Sequence, residues 1–332
     1  MKKLSSPFAQ LPFFTAPILL VPFLLLALIY FLLFPNGFNL QSGLLAPCQC
    51  NTCPATTTTT TPAKLATPAV DLRVLLGVLT VPSSYERRAL LRLAYKLQPP
   101  PTGAVVDVRF VFCNVTKEED AVLVALEIIA YDDILVLNCT ENMNDGKTFD
   151  FFSAVPKLFA DKDPPYDYVG KADDDTYYRM SALADALRSK PRRRHDVYHG
   201  FLWPCDLESP NPEWQFMVGW GYVVSWDVAA WISSEPGERM SRNYTKGAED
   251  MAFRHWLRLG GKGKNMYGEG KRMYDYLDGE KPDREKSCYR HELVPDTVAV
   301  HRLKSRLWWA RTLRFFNSTE GFKPSKMYHL DF

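Results

Sequence analysis

The chain lacks an excess of either charge: 40 lysines and arginines stand against 38 aspartates and glutamates, a formal net charge of +2 over 332 residues. A polyanion-binding surface needs a basic excess, so nucleic acid is excluded as a partner. The one dense basic run, Arg192-Arg193-Arg194-His195, is short and reads as a solvated loop. Zinc ligands are lacking too. Cys48, Cys50 and Cys53 have suggestive spacing, yet no histidine or second cysteine pair nearby completes a set. Charge is absent altogether from Leu11 to Phe34, and no A-x-A-like cleavage site clearly follows. That run can cross a hydrocarbon core of about 30 Å and exceeds a signal-peptide core of about 7–15 residues, which favours a retained anchor over a cleaved leader.

What is present divides the chain into four parts. Lys2 and Lys3 precede the apolar run, so the positive-inside rule leaves residues 1–10 in the cytosol and makes 11–34 a transmembrane signal-anchor, although Pro12, Pro17 and Pro22 weaken its helix. The rest then faces the lumen, a type II arrangement. Residues 35–70 form a stem: the threonine run Thr56 to Thr61 between prolines cannot build a core and suits O-glycans. Its three cysteines suit disulfides, including a disulfide-linked homodimer, or acylation. Residues 71–332 are the folded body. Four N-x-S/T sequons, at Asn114, Asn138, Asn243 and Asn317, agree with a secretory address, where Cys113, Cys139, Cys205 and Cys288 are able to form disulfides. Seven cysteines is an odd number, so at least one is free or pairs with another chain.

The body begins as alternating strands and helices. Leu72 to Thr80, Val105 to Cys113, Ile134 to Leu137 and Tyr166 to Gly170 read as strands. Between them, Tyr85 to Gln98 has helical spacing and carries Arg87, Arg88 and Arg92 near its start; cations there oppose the helix dipole and point weakly to an anionic ligand. Thr116 to Glu119 reads as a capping box opening a helix whose apolar positions are Val122, Leu123, Leu126, Ile129 and Ala130. Phe149 to Phe159 is a third helix. The alternation predicts parallel α/β winding. The second half is less regular, with strands at Val197 to Leu202, at Phe216 to Ser225 broken by Gly219 and Gly221, and at Thr297 to His301. Those glycines fit either a close approach of ligand or a plain bulge. Glu249-Asp250 opens a helix, as dipole complement or as carrier of a general base.

The fourth strand delivers Asp173, Asp174 and Asp175 into one small volume before a helical pattern from Met180 to Leu187. Adjacent carboxylates repel and resist desolvation, and a bound divalent cation is the economical remedy. Oxygen ligands at a strand end favour Mn²⁺ or Mg²⁺, and the crevice of an open α/β sheet lies at that end. A solvated turn is the plain alternative. His301, at the end of a short strand, is a candidate further ligand.

In order, Glu86-Arg87-Arg88 with Arg92, Lys171-Ala172-Asp173-Asp174-Asp175, Gly219-Trp220-Gly221-Tyr222-Val223-Val224-Ser225 and Glu249-Asp250 resemble the motifs of glycosyltransferase family 31, the β-1,3-galactosyltransferase and Fringe-like enzymes, over roughly Leu72 to His301. The short form looks most like the plant and algal hexosyltransferases. The resemblance implies a GT-A (Rossmann-like) α/β fold and inverting transfer of a hexose, galactose in a β-1,3 linkage, from a UDP-sugar to a glycan or glycoprotein in the Golgi. It implies that Asp173, Asp174, Asp175 and His301 hold Mn²⁺ or Mg²⁺, and that Asp250 is the catalytic base. Thr80, Arg87, Arg88, Lys171, Asp173 and Asp174 would bind the nucleotide sugar. Trp203, Trp214, Gly219, Trp220, Gly221 and Glu249 would line the substrate. Leu93-Ala94-Tyr95, Trp214-Gln215-Phe216 and Met251-Ala252-Phe253 depart from the animal pattern, which bears on donor and acceptor rather than on reaction type. Two rival classes are a metal-dependent phosphate-ester hydrolase, which needs a second metal cluster that the sequence does not offer, and an inactive lectin-like or scaffold relative, which would have lost Asp175 or Asp250.

Overall fold

A strand as apolar as Leu72-Arg73-Val74-Leu75-Leu76-Gly77-Val78-Leu79 is stable only where both sheet faces are covered. The computed structural model, which describes residues 69–161, 166–190, 194–205, 214–277 and 287–318, puts it there. Strand β1 (Leu72–Leu79) runs parallel to β2 (Ala104–Cys113) on one side and to β4 (Tyr168–Asp173) on the other, and β3 (Ile134–Leu137) extends the parallel half beyond β2. Beyond β4 the sheet turns antiparallel through β7 (Phe216–Ser225) and β6 (Val197–Trp203), and β8 (Asn265–Gly268) closes the edge parallel to β6. The order is β3-β2-β1-β4-β7-β6-β8. A second sheet, β10-β9-β11-β5, is built from Tyr177–Tyr178 (β5), Met273–Tyr276 (β9), Arg290–His291 (β10) and Ala299–His301 (β11). The winding is therefore a mixed α/β sheet, parallel across its first four strands and again at the β6–β8 edge.

Helices cover both faces. On one side α3 (Lys147–Leu158), α5 (Trp226–Ile232) and α7 (Glu249–Leu259) meet over Phe149, Phe152, Val228, Phe253 and Trp256. Gly77 of β1 lacks a side chain because Phe151 of α3 occupies that space, 2.3 Å from where a Cβ would stand. On the other side α1 (Tyr85–Lys96), α4 (Met180–Arg188) and the second sheet share Leu91, Leu183, Tyr274 and Val300, with Trp309 of α8 (Arg306–Phe315). Disulfides Cys113–Cys139 and Cys205–Cys288 use all four cysteines of the body.

The structure corrects several expectations. Helix α2 (Glu118–Tyr131) starts after Lys117 with no side-chain cap, so Thr116 and Glu119 form no capping box. Its apolar stripe faces outward: the buried residues are Val124 and Glu127, while Val122, Leu123, Leu126 and Ile129 are exposed. Strand β7 runs unbroken through Gly219 and Gly221, and the register shift falls on β6 between Gly200 and Leu202. Residues 1–68, which hold the expected tail, anchor and nearly all of the stem, lie outside the described residues. Among those described, no helix is long and apolar enough to cross a membrane. The four sequon asparagines are exposed, and Asn114 donates to the Cys139 carbonyl at 3.2 Å and to Asn138 at 3.4 Å.

Candidate metal and sugar-transfer site

Strand pairing assembles the acidic end of β4. β5 follows the aspartates after a tight turn, closed by Thr176 N–H donating to the Asp173 carbonyl, and pairs antiparallel with β11 in the register Val300↔Tyr177. His301, the next residue of β11, thereby arrives beside Asp175, and Leu303 N–H donates to the Asp175 carbonyl to fix the approach. The imidazole Nε2 lies 3.1 Å from Asp175 and 4.0 Å from Asp173. One ligand atom from each of Asp173, Asp175 and His301 falls within 4.8 Å of the others. The trio is a half-buried cluster, not a turn splayed into water.

This donor set fits a hard or borderline dication, with carboxylate oxygens and one imidazole nitrogen. The second ring nitrogen strengthens the fit. Nδ1 lies 2.7 Å from Asp275 of β9, the carboxylate–histidine pairing that orients a ligating imidazole and leaves Nε2 facing the site. Burial pulls the His301 pKa down, but the hydrogen bonds to Asp175 and Asp275 outweigh it and raise the value to about 9. In the metal-free chain a proton therefore supplies the positive charge that a cation would supply. Burial pushes the Asp175 carboxyl up, whereas His301, with Lys304 and Arg87, brings it below the ordinary range. Trp220 stacks on the His301 ring at 5.6 Å and 7°. It is buried, so it braces the histidine and offers no open face to a sugar.

Asp174 does not join the trio. One of its oxygens accepts from Thr80 Oγ1 at 2.7 Å and the other from Arg87 at 2.5 Å, which ties the turn to the end of β1 and the start of α1. Thr80 is buried and Arg87 half exposed, so of the two only Arg87 faces open space. Arg88 is no site residue by position. It is fully buried, with its guanidinium on Glu127 and the carbonyls of Val81 and Pro82. Arg92 likewise pairs with Glu127 and Asp133.

A buried ion chain joins the acidic trio to the start of α7. Lys171 on β4 is 3.1 Å from Asp173 and 2.7 Å from Glu249, and Glu249 also accepts from Tyr222 at 3.0 Å. Burial would lower the Lys171 pKa, but Asp173 and Glu249 raise it. Burial raises that of Glu249 against Lys171. Both residues are buried and their polar atoms are taken by each other, so they position the site rather than touch a donor or acceptor. Asp250, one residue on, accepts from the Gly219 amide at 3.0 Å and remains half exposed. Its other oxygen accepts from the Met251 amide at 2.8 Å.

The two glycines of β7 answer to the protein itself. A Cβ on Gly219 would stand 2.3 Å from Glu249 Oε1, and one on Gly221 would stand 2.2 Å from the Tyr178 hydroxyl. The missing side chains are thus accounted for by Glu249 and Tyr178. Trp203 and Trp214 are exposed; Trp203 meets Tyr289 edge to face at 5.4 Å. Sequence reasoning missed Asp275, Tyr178 and Lys147. Lys147 is buried at the start of α3, bonded to Glu141 and to the Thr80 carbonyl, with its pKa lowered by burial. A cation at a helix start was a legible signal for it; nothing local marked Asp275.

These features define a class first: an α/β protein with a cation-type cluster at a strand end, tied by buried ion pairs to a helix-borne carboxylate. No family model matches the chain. By sequence it is similar to the β-1,3-galactosyltransferase pvg3 of Schizosaccharomyces pombe, 23% identical over 279 residues that cover 70% of this chain and 71% of the yeast protein. It is also similar to β-1,3-galactosyltransferase 6 of Mus musculus, 27% identical over 198 residues covering 54% of this chain and 58% of the mouse protein. A human UDP-GalNAc:β-1,3-N-acetylgalactosaminyltransferase 2 is 27% identical over 153 residues, 42% of this chain and 29% of that protein. Among solved structures, an active-site mutant of LgtC gives a TM-score of 0.42 at 13% identity, covering 76% of this chain and 98% of LgtC. Galactosyltransferase LgtC with donor and acceptor sugar analogs gives 0.40 at 13% identity, with 77% and 98% covered. The homologues of this chain are thus glycosyltransferases, β-1,3-galactosyl- and N-acetylgalactosaminyltransferases.

Proposed function

We propose that the protein is an inverting, metal-dependent hexosyltransferase of the GT-A class, moving galactose in β-1,3 linkage from a UDP-sugar to a glycan or glycoprotein. The carrying observation is the linkage of the Asp173–Asp175–His301 cluster through Lys171 and Glu249 to Asp250. Asp173, Asp175 and His301 would hold Mn²⁺ or Mg²⁺. When bound, that cation neutralises the diphosphate leaving group. Arg87 adds positive charge at the same mouth, and the Thr80–Asp174 bond holds the turn that presents the ligands. Asp250 accepts the acceptor hydroxyl's proton during a single in-line displacement, a general-base contribution of about 10²–10⁴-fold. Trp203 and Trp214 offer aromatic faces to acceptor sugars.

The same reading makes this a type II Golgi membrane protein, anchored by residues 11–34. Its support is the apolar run after Lys2 and Lys3, the two body disulfides expected of an oxidising lumen, and exposed sequon asparagines. The test is to incubate the full chain with a panel of UDP-sugars and Mn²⁺ and measure UDP release. Turnover of UDP-galactose that disappears in Asp175→Ala supports the proposal; full activity in that variant, or no donor turnover at all, sinks it. Sugar binding without turnover would move the protein to the lectin-like class.

A further inference from the structure

The loop that follows His301 is pinned at both ends. Leu303 N–H donates to the Asp175 carbonyl at 3.1 Å, and the Ser305 hydroxyl caps α8 by accepting from the Trp308 amide at 3.2 Å. Between them Arg302 takes a left-handed φ of 70°, and Lys304 N–H donates back to its carbonyl at 2.9 Å. A residue other than glycine pays a conformational cost there, so the turn is held by its surroundings. What the turn presents is Lys304, exposed and one residue from the contact with Asp175. The other cations at this mouth are matched. Arg87 faces Asp174, Lys171 faces Asp173 and Glu249, Arg290 faces Asp275, and Arg306 reaches across to Glu86 at the start of α1. Among the described residues no carboxylate lies within ion-pairing distance of Lys304. Its charge acts on the trio all the same: burial pushes the Asp175 carboxyl up, and His301 first, then Lys304 and Arg87, bring it down.

We propose that Lys304 is a donor-binding residue whose ammonium donates to the β-phosphate of a bound nucleoside diphosphate. This rests on the sugar-transfer reading above and adds to it a cation that neither the Asp triplet nor the early arginines supply. A lysine serves a phosphate as a compact charge with rotatable donors on a flexible stem, so a fixed backbone and a free head suit the task. Asp173 and Asp175 together balance the charge of a dication, which leaves Lys304 as the unmatched cation at the mouth. As the bond between the sugar carbon and the β-phosphate oxygen breaks, its electron pair stays on that oxygen. The acceptor oxygen takes its place on the carbon, and the acceptor's proton passes to Asp250. The departing nucleotide therefore gains negative charge, and a cation with no carboxylate of its own is placed to stabilise it.

The test is calorimetric titration of the full chain in detergent with UDP and, separately, with UMP, at saturating Mn²⁺. Lys304→Met keeps the length of the stem and removes the charge. It is expected to weaken UDP binding about 10-fold and to leave UMP, which lacks the β-phosphate, within about twofold of wild type. Lys304→Arg is expected to recover most of the loss. Mn²⁺ binding without nucleotide should be unchanged or tighter in Lys304→Met, because a cation acting on Asp175 is gone, whereas damage to the trio would weaken it. Equal affinity of Lys304→Met and wild type for UDP overturns the inference and leaves the sugar-transfer reading standing. So does an equal loss for UDP and UMP, or a fall in Mn²⁺ affinity. A wild-type chain that binds no UDP beside Mn²⁺ sinks the sugar-transfer reading, and the role of Lys304 with it.

Discussion

Two largely buried histidines in this molecule sit against carboxylates, yet their pKa values are shifted in opposite directions. His301 faces Asp173, Asp175 and Asp275 at the mouth of the cleft and has its pKa raised to about 9 despite desolvation. His199, on β6, is fully buried with Nε2 2.8 Å from Glu269, and its pKa is lowered. The difference is the company each carboxylate keeps. Glu269 also takes Lys190 at 2.6 Å and Arg272 at 2.7 Å, so His199 competes with two cations for one anion, and desolvation prevails. Around His301 three carboxylates face one imidazole: Lys171 and Arg290 lie against Asp173 and Asp275, and Asp175 takes its ion pair from His301. Carboxylates that converge on one imidazole mark a place for a cation, whereas a single carboxylate ringed by cations, as Glu269 is, serves as scaffolding.

The largest test of that contrast is Glu269→Gln. Burial pushes this carboxyl up, but His199 and Lys190 hold it at about 2, and the neutral amide leaves those donors without their anion. We expect a loss of roughly 3 kcal/mol of stability, read from urea unfolding, with the activity of the remaining folded protein unchanged. At the other cluster His301→Ala should act on the metal first. Mn²⁺ binding, read by calorimetry, should weaken at least about 100-fold because one of three ligands is gone, and the metal-free urea midpoint should fall as well, because Asp175 loses the imidazolium paired with it. Asp275→Asn is milder. Losing the carboxylate behind the imidazole should weaken metal binding by about 10–100-fold and leave all three ligands in place. If Asp275→Asn matched His301→Ala, Asp275 would be a ligand and not a positioning residue.

The same contrast explains which parts of the molecule were legible in the sequence. Strands β1 to β4 and the Asp173–Asp175 turn could be read because both signals are local: an apolar run, then carboxylates with no cation beside them except Lys171. His301 could be named as a candidate from its place at a strand end. Asp275 could not, since it reaches Nδ1 only through the pairing of β9 with β11, a contact between segments with no shared pattern. Glycine misled in a different way. Gly219 and Gly221 were open to a ligand reading, whereas the space is filled by Glu249 and Tyr178, which come from distant elements. Helix α2 defeated the periodicity rule outright, because Arg88 and Arg92 drew Glu127, the one carboxylate beyond its first turn, inward and rotated the apolar stripe to solvent. Ion pairing fixed which face went in.

The smallest effect is the most diagnostic of the buried cluster, and its sign follows from linkage. His199 is depressed in the folded state, so its neutral form is favoured there. The stability it contributes is complete above the ordinary histidine value near 6.5 and declines as the pH falls below that value toward its folded pKa, because the unfolded chain binds the proton more readily. Glu269, also depressed, adds a second loss that begins only below about 4.5 and runs toward 2. On going from pH 7 to pH 5.5 His199 therefore costs the fold stability, while His301, raised to about 9, returns some, because there the folded chain binds its proton more readily. Replacing the imidazole in His199→Gln removes the His199 titration while keeping an amide donor for Glu269, so the variant's urea midpoint should gain on that of wild type as the pH falls across the same interval. A midpoint in His199→Gln that only kept pace with wild type would mean that His199 does not titrate there, and the contrast between the two histidines would then rest on geometry alone.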